Sequence, residues 1–72
     1  MEKIKITSEK IKLDQFLKWA DIVESGGKAK ILIQAGKVKV NGEIEKRRSY
    51  KLSPGDLITI TGTNKKYQVI KE

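Results

Sequence analysis

Hydrophobic and polar residues alternate at the beginning of the chain. Within residues 2–7 (EKIKIT), Ile4 and Ile6 fall on one side, and Lys3 and Lys5 fall on the other. A two-residue period of this kind is typical of a strand with one buried face. The sequence therefore predicts that the protein begins with a half-buried strand.

The spacing changes to that of a helix over about residues 12–20 (KLDQFLKWA). Apolar residues recur there at i, i+3, i+4 and i+7, which forms one apolar stripe: Leu13, Phe16, Leu17 and Ala20. A second helix is predicted to follow Ser25, whose hydroxyl can accept from first-turn amides. It runs to about Ala35, and Gly36 suits the left-handed residue that ends a helix. Its apolar side carries Ala29, Leu32 and Ile33.

Strand signals return after the second helix. Val38 and Val40 alternate with lysines, and Asn41-Gly42 favours a type I′ hairpin, because both central positions need positive φ. Ser53-Pro54-Gly55-Asp56 fits a type II turn, with proline and glycine at its two centres. Further strands are predicted at residues 57–60 and 67–70. The order β-α-α-β-β-β-β indicates the α+β class: two helices packed on a small, mostly antiparallel sheet.

Length and composition narrow the class of protein. A chain of 72 residues is expected to form one domain, residues 1–72. It contains no cysteine and no histidine, so we expect neither a disulfide nor a metal site, and no cofactor. No apolar run has the length of a signal peptide or of a membrane span. We therefore expect a protein that is not exported and does not bind membranes. The lack of cysteine fits the cytoplasm, and we expect a monomer.

The net charge points to a polyanionic partner. Sixteen Lys and Arg residues stand against nine Asp and Glu residues, which gives a formal charge of +7. In so short a chain, this excess favours nucleic acid first and anionic lipid second. A lysine-rich surface that only promotes solubility is the alternative.

A glycine turn before the second helix is a candidate phosphate site. In residues 25–30 (SGGKAK), the amides following Ser25 lie at a helix N-terminus, where unpaired N–H groups attract anions. Glycine lets a phosphate approach the backbone closely. Charged residues flank the turn, so the predicted contacts are Lys12, Ser25, Gly26, Gly27, Lys28 and Lys30. The alternative is a tight turn between two helices.

Basic residues continue on and beyond the hairpin: Lys37, Lys39, Arg47 and Arg48. We expect the hairpin lysines to lie near the second helix and the arginines to extend the same surface, although a solvated strand would look similar. Arginine pairs bidentately with phosphate and stacks on bases. Tyr50 could stack on an unpaired base or be a partly buried strand residue. Trp19 fits packing at the core edge or a partner contact better than base stacking.

Several short motifs follow one another in an order and spacing that is specific only when they are taken together: Lys12-Leu13-Asp14, Leu17, Ser25, Ala29-Lys30, Leu32-Ile33, Gly36, Val38, Val40, Asn41-Gly42 and Pro54-Gly55-Asp56. Over residues 12–60 the chain resembles the S-four domain, the RNA-binding module named after small-subunit ribosomal protein four. It is most similar to the stand-alone, YaaA-like bacterial subclass through Phe16-Leu17-Lys18, Ala20-Asp21, Ser25-Gly26-Gly27, Ala29-Lys30 and Arg47-Arg48.

The resemblance implies that both helices and the hairpin grip structured RNA, with ribosomal RNA as the first candidate, in a factor for ribosome assembly or translation. Most S-four domains carry arginine after the helix-opening serine, and this chain has Gly26. The expected phosphate contact therefore shifts to the glycine amides and Lys30. Tyr50 stands where the subclass tends to be basic.

Three other function classes compete with RNA binding. An adaptor whose basic surface binds an acidic protein is the main alternative. An enzyme is not expected, since the sequence lacks a histidine base, a cysteine nucleophile and paired carboxylates, and Asp14 and Asp56 have structural explanations. Lipid binding would need an amphipathic helix with basic and bulky apolar sides, which is absent from the sequence.

Overall fold

The computed structural model describes residues 1–72 and contains two helices and seven strands. In chain order they are β1 (Glu2–Ile6), β2 (Ile11–Lys12), α1 (Leu13–Trp19), α2 (Gly26–Gln34), β3 (Val38–Val40), β4 (Glu43–Ile44), β5 (Lys51–Leu52), β6 (Leu57–Ile60) and β7 (Lys66–Lys71). The predicted class is confirmed. The predicted order is corrected, since it lacked the two-residue strands β2 and β5.

Five of the strands form one sheet in the order β1-β7-β6-β3-β4. All neighbours are antiparallel except β1 and β7, which run parallel with Glu2 opposite Tyr67. The strands β2 and β5 form a separate antiparallel ribbon that leads directly into α1. Through this ribbon, the start of α1 is held beside β5.

The core lies between the helices and one side of the five-stranded sheet. The helices contribute Leu13, Phe16, Leu17, Ala29 and Ile33, and the sheet contributes Ile6, Val38, Val40, Ile58, Ile60, Tyr67 and Val69. Leu52 from the ribbon completes this cluster. Because side chains alternate along a strand, the residues between the core positions point away from the helices. The other side of the sheet is therefore open to solvent.

After each helix, a residue with positive φ adopts the left-handed backbone conformation and ends the helix. Asp21, at φ 63°, follows α1, and Gly36, at φ 75°, follows the C-cap residue of α2. Aspartate is one of the few residues besides glycine that visits this region readily. At the start of α2, the Ser25 hydroxyl accepts from the Lys28 amide at 3.2 Å, which confirms the predicted cap.

The two predicted turns are confirmed and are tied to each other. Asn41 and Gly42 have φ values of 52° and 88°, and they connect β3 to β4. In the second turn Gly55 has φ 99°, and the Asp56 amide donates to the Ser53 carbonyl at 3.0 Å. The Asp56 carboxylate also accepts from the Asn41 side chain at 3.1 Å. Asp56 is thus a turn residue, as predicted.

Neither helix has both the length and the apolar composition needed to cross a bilayer.

Candidate nucleic-acid interface

Two lysines face each other where the chain enters α1. Lys12 on β2 is the direct cross-strand partner of Lys51 on β5. Like charges placed directly opposite each other destabilise a strand pair. Neither lysine forms an ion pair within the chain. The ribbon therefore holds two uncompensated positive charges side by side.

A hollow of about 250 Å³ lies on this ribbon, and no acidic residue lines it. Its lining consists of Lys10, Ile11, Lys12, Gln15 and Lys51. The Lys10 ammonium donates to the Ser53 hydroxyl at 3.1 Å, a neutral partner that leaves its charge available. Three cations thus border one open hollow. We call these lining residues, together with Arg48, the α1 entrance.

The backbone of residues 48–50 fixes this region against the helix. The Leu13 amide donates to the Tyr50 carbonyl at 2.8 Å, and the Asp14 amide donates to the Arg48 carbonyl at 3.1 Å. The Asp14 carboxylate accepts from the Gln15 amide at 2.8 Å. The first amides of α1 are therefore occupied, so a ligand here would be held by side chains.

Arg47 is already paired inside the chain. Its Nε and Nη2 atoms donate to the Glu45 carboxylate, each at 2.9 Å, and its guanidinium lies 5.2 Å from the centre of the Tyr50 ring. The hydrogen bond from Arg47 lowers the pKa of Glu45 below its ordinary value of 4.5. The same bond raises the pKa of Arg47. The charge of Arg47 is thus largely balanced, whereas Arg48 forms no ion pair.

Tyr50 is half-buried and packs against the core. Arg47 lies over its ring, so Tyr50 is partly buried as the second interpretation required, but it lies just before β5 and not in a strand. Stacking of Tyr50 on a base stays a prediction. Trp19 has 62% of its surface exposed, and its indole N–H donates to the Lys5 carbonyl at 2.8 Å.

The start of α2 presents two backbone amides without partners. Gly26 and Gly27 donate to no acceptor within the chain, while the next amide is capped by Ser25. A Cβ at Gly26 would meet nothing within 4 Å, and one at Gly27 would meet only the Ser25 hydroxyl at 3.9 Å. Packing therefore requires glycine at neither position. Lys30 is exposed, and Lys28 pairs with Glu24 at 3.2 Å.

Of the two hairpin lysines, only Lys37 lies beside the second helix, as the sequence predicted. Lys37 lies three positions after the last residue of α2, and its amide donates to the Leu32 carbonyl at 3.3 Å. Lys39, however, alternates with the core residues Val38 and Val40 and so points to the open side of the sheet. The expected placement of Lys39 beside the second helix is therefore wrong.

Sequence reasoning missed Lys10, Lys51 and Gln15 at the α1 entrance, and it missed Glu45 as the partner of Arg47. The hollow is assembled from β2, α1 and β5, and strands of two residues leave no periodic signal. Glu45, two positions before Arg47, was the one local clue available in the sequence.

A family model described as the S4 domain matches residues 4–70, nearly the whole chain. The protein belongs to the S4 domain family. The resemblance stated from the sequence is thereby confirmed. The S4 assignment also confirms that the chain is a binding domain of an RNA-binding family and not an enzyme.

Two sequence relatives cover most of this S4 chain. A protein of Bacillus subtilis (strain 168) named probable ribosome maturation protein RlbA is 48% identical over 59 residues, 82% of this chain and 83% of its own. YbcJ of Escherichia coli (strain K12) is 38% identical over 52 residues, 72% of this chain and 74% of its own.

Solved structures show the same fold. The solution structure of YbcJ from E. coli, described as revealing an αL motif involved in RNA-binding, superposes with a TM-score of 0.72 at 32% identity. It covers 97% of this chain and 87% of that one. Trimeric Heat Shock Protein 15 of Vibrio cholerae superposes with a TM-score of 0.68 at 28% identity, over 81% of this chain and 58% of that one.

Proposed function

We propose that the protein binds structured ribosomal RNA through the α1 entrance and the start of α2, as a cytoplasmic factor in ribosome maturation. The S4 family, the relative named as a probable ribosome maturation protein and the αL motif of YbcJ support this proposal. In this proposal, residues 1–72 form a single binding domain that acts as a monomer.

The facing pair of Lys12 and Lys51 is the observation that carries the proposal. A pair of like charges weakens the ribbon, and no carboxylate lines the hollow to offset the repulsion. A phosphate seated between the two ammonium groups would turn this repulsion into attraction. Lys10 lines the same hollow, and the backbone of Arg48 lies beside the start of α1, so both side chains are candidates to extend the positive surface along an RNA backbone.

The start of α2 supplies a second kind of contact. The free amides of Gly26 and Gly27 point outward from a helix N-terminus, where the helix dipole favours an anion. Lys30 adds a charge next to them. These contacts recognise the RNA backbone, which provides affinity and register, while the fold of the RNA provides selectivity.

In this mechanism, Arg47 contributes less to phosphate binding than its position in the sequence suggested. Its guanidinium is engaged by Glu45 and lies over Tyr50. A phosphate would have to compete with that carboxylate for the same N–H groups. Arg48 is therefore the stronger candidate for a phosphate contact of the two neighbouring arginines.

The test is co-sedimentation of the protein with ribosomal subunits over a salt series, with nuclease-treated and duplex-DNA controls. We expect association that requires intact RNA and weakens steeply with salt, because phosphate contacts release counterions. Association that survives nuclease treatment would favour the acidic-partner adaptor. Equal binding to duplex DNA would contradict recognition of structured RNA.

Exchanging Lys12 and Lys51 for glutamine sharpens this test. We expect K12Q/K51Q to reduce the slope of log K against log salt by about one unit for each phosphate that is no longer neutralised. The melting temperature should not fall, because the exchange removes a like-charge pair. K18Q/K71Q, with the same change of charge elsewhere, is the control. An unchanged slope for K12Q/K51Q would exclude this pair as a phosphate site.

A further inference from the structure

The largest hollow of the molecule lies on the open side of the sheet, at the edge formed by the loop between β6 and β7. Its volume is about 530 Å³, and it is lined by the end of β6, the start of β7 and the loop between them, with Lys39 from β3. Three lysines and three threonines make up most of its lining: Lys39, Lys65, Lys66, Thr59, Thr61 and Thr63. We call this the sheet hollow.

The strand register explains why the lysines converge there. Thr59 on β6 is paired with Lys39 on one side and with Lys66 on the other. All three side chains therefore point to the same side of the sheet, and the two lysines are separated by two strand spacings, about 10 Å. Lys65 approaches from the loop, so three ammonium groups surround one row of hydroxyls.

The charges in the sheet hollow are not balanced within the chain. Lys39, Lys65 and Lys66 belong to none of the ion pairs of the structure, and no acidic residue lines the hollow. Glu2 shares an adjoining hollow with Lys65 and Lys66, and Asp21 shares another with Lys65, but neither carboxylate forms an ion pair with these lysines. The sheet hollow is thus an uncompensated positive site with hydroxyl donors between the charges.

The loop that completes the hollow is fixed by its own hydrogen bonds. The Thr63 hydroxyl donates to the Ile60 carbonyl at 2.9 Å and accepts from the Lys65 amide at 3.3 Å. The Thr61 amide donates to the Lys37 carbonyl at 2.8 Å. A ligand would therefore find the loop already ordered, which lowers the entropic cost of binding.

We infer that the sheet hollow is a second RNA-backbone site, so that one protein molecule holds two RNA segments on opposite sides of its sheet. The choice of RNA as the polyanion rests on the proposed function. Lysines supply point charges for phosphate oxygens, and the hydroxyls of Thr59 and Thr61 can donate to phosphates or to ribose hydroxyls. The α1 entrance binds one segment, and the sheet hollow binds another.

The test is a bridging assay. An RNA hairpin is immobilised, saturated with protein and washed, and a second, fluorescent hairpin is added. We expect the wild-type protein and K18Q/K71Q to capture the second hairpin. K39Q/K66Q should bind the immobilised hairpin almost normally, but its capture of the second hairpin should fall by about tenfold or more, since two phosphate-binding charges are removed.

A second measurement locates the contact. In an isotope-labelled Gly27→Glu variant, which weakens the proposed first site, RNA should still shift the backbone amide signals of residues 61–66. If the wild-type protein binds one hairpin and never captures another, this inference is overturned while the proposed function still stands. Capture by K39Q/K66Q equal to that by K18Q/K71Q would have the same meaning. Failure to bind even the immobilised hairpin would overturn the proposed function and this inference together.

Discussion

The two ends of α2 both carry glycine, for different physical reasons. At the end of the helix, Gly36 has φ 75°, and a Cβ there would lie 3.4 Å from the Lys46 side chain. At the start, Gly26 and Gly27 lie within the helix, have no positive φ and have open space around them. The fold needs glycine at the end of α2 and not at its start. The open space at the start is compatible with our proposal that a phosphate approaches the backbone there.

The largest effect should come from reversing the electrostatics at the start of α2. In Gly27→Glu, a carboxylate takes the place that we assign to a phosphate, and we expect RNA affinity to fall by about tenfold or more. Folding should not suffer, because an acidic residue in the first turn stabilises a helix by about 0.3–1 kcal/mol. The measurements are RNA titration and thermal unfolding.

Gly27→Gln is the matched neutral control for that variant. It introduces a side chain of the same size without charge, so it should bind RNA more tightly than Gly27→Glu. If both variants bind RNA as tightly as the wild type, the start of α2 is not a phosphate site. Its glycines would then be a feature of the turn alone.

At the end of α2, a substitution should lower stability and leave RNA affinity unchanged, which is the reverse of the effect expected at the start. Gly36→Ala forces a side chain into the left-handed region, so we expect the free energy of unfolding to fall by about 1–2 kcal/mol. RNA affinity of the folded protein should be unchanged. Gly36→Asn should recover part of the stability, because asparagine tolerates this conformation. Denaturant unfolding of both variants measures the difference, and equal stability of Gly36→Ala and wild type would refute the argument.

Ser25 tests whether the cap and the ligand site are separate. Ser25→Ala removes the acceptor of the Lys28 amide, which should cost about 1 kcal/mol of stability. The amides of the two glycines stay free, so RNA affinity should change less than in Gly27→Glu. Ser25→Thr, which keeps a capping hydroxyl, is the control. A larger decrease of affinity in Ser25→Ala than in Gly27→Glu would make the hydroxyl itself an RNA ligand.

The sequence predicts most of the local structure because its signals are local. The apolar stripe of α1, the cap at Ser25 and the Asn41-Gly42 turn each depend on residues a few positions apart. The ribbon of β2 and β5 depends instead on a pairing between Ile11 and Leu52, far apart in the chain. Two-residue strands have no period, so nothing in the sequence revealed this pairing.

The site was predicted in part for the same reason. Lys12 and the glycine turn lie in local motifs, whereas Lys10 and Lys51 come together only through the ribbon. The alternation of Lys39 with Val38 and Val40 correctly predicted that its side chain points away from the core, and only its expected position beside the second helix was wrong. A lysine that alternates with core valines points away from whatever covers the core, and the helices were expected to cover it.

The parallel pairing of β1 with β7 has a consequence for the order of folding. The strand β1 has β7 as its only neighbour in the sheet, and these two strands come from opposite ends of the sequence. Such a contact closes a loop that spans most of the sequence, so we expect it to form after the local hairpin contacts, which close much shorter loops. During synthesis, β1 therefore gains its partner in the sheet only after β7 has been made.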